Sequence, residues 1–138
     1  MAVIRCHPLD KRSDLDVVRR DGHFEQRAGL NLATDDVFVN VAGGMSIDEP
    51  AADLAIVTAV ASSLRNRPIP PDIVVFGEIG LAGEVRATTQ AAARAREARQ
   101  LGFTRCLMPD RSLAPADVPA GLEVIGVRTV GEALDAVM

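Results

Sequence analysis

The chain has no tryptophan, no tyrosine, four phenylalanines and a single lysine, Lys11, among its 138 residues. So few aromatic rings exclude the stacking platforms on which proteins hold single-stranded bases, and they leave the core to be built from Val, Leu, Ile and Ala. A solitary lysine leaves little material for chemistry that needs a neutral amine as base. Cys6 and Cys106 lie far apart, and His7 and His23 are remote from Cys106. The multi-ligand spacing of a zinc site is therefore missing, and the thiols read as structural or incidental, with no metal and no cofactor expected. The first twenty residues are charged rather than built around an apolar run, so no signal peptide is expected. No apolar stretch is long and clean enough to cross a bilayer. A formal charge of −4 gives no global attraction to nucleic acid or to anionic membranes, so any DNA contact has to come from clustered arginines.

What is present is a 48% apolar composition on a chain long enough for one domain with a real core. Residues 1–26 mix basic pairs and aspartates with the short apolar pair Val17-Val18 and read as a variable arm, leaving 27–138 as the folded domain. From Leu30 to Ala42 β-branched and alternating apolar residues predict strands, turning at Asp35-Asp36 and ending at Gly43-Gly44. Asp48 or Ser46 is the expected cap of a helix from Pro50 to Arg65, with Pro50 in its first turn and Leu54, Val57, Ala61 and Leu64 at helical spacing. The prolines of Arg67-Pro68-Ile69-Pro70-Pro71 force an extended connection. A strand over Ile73–Ile79 follows, and Gly80-Leu81-Ala82-Gly83 predicts a tight bend into a short strand through Val85 and Arg86.

Thr88 or Thr89 is the expected cap of a second helix that Gly102 stops near Leu101, with Glu97 able to pair locally with Arg94. Thr104–Met108 and Glu123–Val127 read as strands, with a loop between them that holds at most a helical turn. Thr129-Val130-Gly131-Glu132 opens a last short helix with a capping box. Strands alternating with helices, broken by one hairpin, predict an α/β sandwich. Gly77-Glu78-Ile79-Gly80 lacks the spacing and the trailing lysine of a phosphate-binding loop and reads as a turn.

Three stretches taken together carry a resemblance: Val37-Phe38-Val39-Asn40-Val41-Ala42-Gly43-Gly44, then Asp48-Glu49-Pro50-Ala51-Ala52-Asp53, then Val74-Val75-Phe76-Gly77-Glu78-Ile79-Gly80-Leu81-Ala82-Gly83-Glu84-Val85. Their order resembles the proteolytic domain of Lon proteases. It resembles still more closely the Lon-like C-terminal domain of the RadA (Sms) family of bacterial DNA-repair proteins, over roughly Arg27 to Pro109. The resemblance implies the Lon proteolytic-domain fold, a mixed sheet with helices of the kind also seen in ribosomal protein S5 domain 2. Lon chemistry needs a serine in a Pro-Ser-Ala-Gly setting and a lysine on the next helix as its base. Aligned without gaps, the serine position holds Ala51 and the lysine position Arg94, which stays protonated at any workable pH. Catalytic residues are thus expected to be absent, with Ala51 and Arg94 as degenerate positions. RadA-type domains also lack the dyad.

The resemblance further implies a cytoplasmic location, a hexameric ring, a RadA-type ATPase as partner and contact with DNA, for which Arg86, Arg94, Arg96, Arg99 and Arg105 are the candidates. A solvated charged face explains these arginines as well. Asp53 next to the former nucleophile position reads either as a first-turn helix-dipole carboxylate or as an ion-pair partner of Arg94 that fills the emptied cleft. Neither the zinc module nor the phosphate-binding loop of RadA occurs in this chain. The leading expectation is therefore a non-catalytic ring scaffold that supports DNA binding. The alternative is a stand-alone regulatory or interaction domain. A third reading, a peptidase with another nucleophile, would need one of Ser46, Thr58, Ser62, Ser63, Thr88 or Thr89 beside a general base, and no motif supplies one.

Overall fold

In the computed structural model, which describes residues 48–138, the apolar spacing of Leu54, Val57 and Ala61 winds the helix α1, Asp53–Arg65. A 3-10 turn, Pro50–Ala52, precedes it, so the expected single helix from Pro50 divides in two. Neither part has a side-chain cap: Glu49 and Ala52 hold the cap positions, where Asp48 or Ser46 was expected. Ser46, the strands expected over Leu30–Ala42, the arm over 1–26 with its boundary, Cys6, and both histidines lie outside the described residues. At its far end α1 stops on Asn66, whose left-handed φ of 48° suits asparagine better than most side chains.

Strand β1, Ile73–Val75, starts the parallel sheet, and β4, Arg105–Pro109, and β5, Glu123–Val127, complete it in the order β1-β4-β5. The apolar run expected as one strand over Ile73–Ile79 breaks at Phe76-Gly77. Beyond the break β2, Glu78–Ile79, pairs antiparallel with β3, Val85–Arg86, in a separate hairpin. The reason is Gly77, which spends its N–H and C=O on Ala51 and Leu54 rather than on the sheet. Helix α2, Ala91–Gln100, begins later than Thr88 or Thr89 would place it. Gln90 at the cap is left-handed, φ 60°, which no helical residue can be, and its side chain makes no cap bond. Gly102, φ 94°, ends the α2 segment as expected. Helix α3, Val130–Val137, is capped by Thr129, whose Oγ1 accepts from Glu132 N–H at 3.1 Å. The Glu132 carboxylate reaches back one residue further than a standard box, to Arg128 N–H at 2.7 Å.

Alternation along the strands divides the core in two. On one face Ile73, Leu107 and Val127 pack with Leu54, Val57 and Ala61 of α1 and with Val130, Ala133 and Leu134 of α3. On the other, Val74, Phe76, Cys106 and Met108 pack with Ala91, Ala95 and Ala98 of α2. The protein is thus a mixed α/β sandwich with helices on both faces. The hairpin leans on the loop after β5, where Val85 N–H donates to Arg128 C=O at 2.7 Å and Glu84 bridges Thr129.

Candidate functional site

Gly77 builds a tight corner against the turn that precedes α1. Its N–H donates to Ala51 C=O at 2.8 Å and its C=O accepts from Leu54 N–H at 3.0 Å. A Cβ here would lie 3.0 Å from Val85 Cγ1 and 3.1 Å from Leu54 Cδ2, so glycine is what allows the 3-10 turn to come this close. Ala51 is buried by that approach. Its methyl group offers neither a lone pair nor a proton.

Arg94 lies in the first half of α2 and points into the same corner. Its Nε donates to Thr89 C=O at 3.1 Å, its Nη2 donates to the Glu49 carboxylate, and its guanidinium carbon lies 5.9 Å from the centre of the Phe76 ring. Three contacts of different kinds leave the side chain 13% exposed while Glu49 is 49% exposed. Glu49 immediately precedes the turn that holds Ala51, and Phe76 immediately precedes Gly77. Through Glu49 and Phe76 the Arg94 guanidinium is held beside the segments that carry Ala51 and Gly77, and it cannot accept a proton.

The ion pair that forms is Glu49 with Arg94, in place of the expected Asp53 with Arg94. Asp53 begins α1 against the hairpin, and its Oδ2 accepts from Ile79 N–H at 3.4 Å. Arg94 likewise turns toward Glu49 rather than along its own helix to Glu97. Two buried hydroxyls are committed to backbone: Thr58 Oγ1 donates to the carbonyls of Leu54 and Ala55 at 2.9 Å, and Ser62 Oγ to Arg67 C=O at 2.6 Å, whereas the buried Thr88 Oγ1 and Ser112 Oγ have no hydrogen-bond partner among the described residues. The described residues contain no histidine and no lysine to activate them. Burial pushes the Cys106 thiol up to about 12, which leaves it a poor nucleophile at neutral pH.

The five candidate arginines do not form one patch. Arg86 and Arg94 lie toward the C-terminal ends of the strands, whereas Arg99 and Arg105 lie toward their starts. Arg86 is taken by Glu84, at 3.0 Å from Nε, and by Glu78 at 3.8 Å. The Glu84 carboxyl is lowered, first by its own backbone N–H and then by Arg86 and Ala82. Arg105 grips Asp72 with two bonds, 2.9 and 2.7 Å, and Thr104 Oγ1 adds a third at 2.8 Å. This fork holds the Asp72 carboxyl well below the usual carboxylate range. Arg99 donates to Ala120 C=O at 3.1 Å and is exposed. Arg96 is exposed, and among the described residues no ion pair holds it.

Sequence reasoning missed Glu49, Phe76, Gly77 and Asp72. Only Glu49 left a local signal, a carboxylate two residues before Ala51. The other three act through partners distant in the chain. Among the described residues no helix is long and apolar enough to cross a membrane, and no three potential ligands gather as a metal site.

Residues 14–138 match the family model of the Lon protease (S16) C-terminal proteolytic domain. The DNA repair protein RadA of Streptococcus pyogenes serotype M1 is 47% identical over 114 residues, 83% of this chain and 25% of that protein. RadA of Halalkalibacterium halodurans is 49% identical over 112 residues, 81% and 24%. RadA of Escherichia coli K12 is 46% identical over 111 residues, 80% and 24%. The chain thus spans about a quarter of the length of the relatives it matches. With the family model covering nearly all of its residues, this chain belongs to the family of the Lon protease C-terminal proteolytic domain.

Proposed function

We propose that this chain is the non-catalytic Lon-like module of a RadA-type DNA repair protein, and that it acts as a scaffold for ring assembly. The observation that carries this reading is the occupied corner. On the gap-free alignment with Lon the serine position falls on Ala51, which is buried, and the lysine position on Arg94, which Glu49, Thr89 and Phe76 hold. The similarity to RadA proteins over four fifths of the chain supports the DNA-repair setting.

Contact with DNA is a further part of the proposal. Of the five candidates, Arg96 and Arg99 suit it best, because both are exposed and neither is tied to a carboxylate among the described residues. A guanidinium already neutralised by its own protein has less charge to offer a phosphate.

Light scattering across protein concentration, with and without duplex DNA at low and moderate salt, tests the whole reading. Concentration-dependent assembly, with DNA uptake that weakens as salt rises, is the expected result. A monomer at every concentration overturns the scaffold role. Labelling by a fluorophosphonate serine probe, or turnover of an unfolded protein substrate, overturns the non-catalytic reading.

A further inference from the structure

We draw no further inference here: the strongest candidate, the exposed pair of Arg111 and Arg128 at the carboxyl ends of β4 and β5, where Arg111 holds a left-handed φ of 58°, carries nothing, because Asp110 and Glu132 balance its charge and nothing among the described residues shows what would bind there.

Discussion

Helix α1 buries Leu54 and Val57 against one face of the sheet, whereas α2 buries only Ala91, Ala95 and Ala98 against the other. On the α1 side the helix supplies the volume that fills the core. On the α2 side the sheet and the turn that leads into it supply the volume, through Phe76, Met108 and Phe103, and the helix contributes closeness. Alanine is the best helix former and adds no bulk, so α2 can lie low on the sheet and leave its outer surface to arginines. Polar anchors at Arg94 and Arg99 then hold the helix along its length. One sheet is thus covered by a helix that depends on filled space and by another that depends on fit and charge.

The contrast can be broken from either side. The largest effect should come from Leu54→Ala, which empties a fully buried site and should cost about 2–5 kcal/mol by denaturant unfolding. Ala95→Leu should act in the opposite sense, by overpacking, and cost about 1–3 kcal/mol as α2 is lifted from the sheet. A loss from Ala95→Leu well below that range would show that α2 has slack beneath it.

Restoring the dyad residues sharpens the same comparison. Ala51→Ser with Arg94→Lys should yield no labelling by a fluorophosphonate probe at neutral pH, because Glu49 keeps an ammonium at position 94 charged and unable to act as base. The double variant should also lose about 1 kcal/mol of stability, since lysine cannot reproduce the Thr89 bond and the ring contact together.

The smallest effect concerns Asp72. Arg105 holds its folded-state pKa below the ordinary value of 3.8, so the pair stabilises the protein above that value and the contribution is lost as the pH falls below it. Asp72→Asn should flatten this acid limb of a stability-against-pH curve. The loss near neutrality should be under about 1 kcal/mol, because the carboxylate is substantially exposed to screening solvent.

Elements whose signals are local were legible in the sequence. The repeat Leu54, Val57, Ala61 gave α1, Gly102 gave the end of α2, and Thr129 with Glu132 gave the start of α3. The strand break at Phe76-Gly77 was not legible, because β-branched and aromatic residues run from Ile73 to Phe76 and resume at Ile79, and what interrupts the strand is a bond to Ala51 made only in the folded chain. The start of α2 was hidden for a related reason. Two threonines look like caps, yet the left-handed turn at Gln90 places the helix beyond their reach. At the site, residue types at Ala51 and Arg94 were enough to expect lost chemistry. That Glu49 rather than Asp53 meets Arg94 depends on a 3-10 turn that helical periodicity does not announce.

The sheet order β1-β4-β5 also bears on how the molecule opens and closes. Strand β4 is hydrogen-bonded on both sides, and α2, β4, β5 and α3 follow one another along the chain as neighbours in space. Contacts of short sequence separation form early and cooperatively. Segment 91–137 is therefore the natural folding unit, onto which β1 docks with α1. In deuterium exchange the β4 amides should be the last to yield and the two-residue strands of the hairpin among the first.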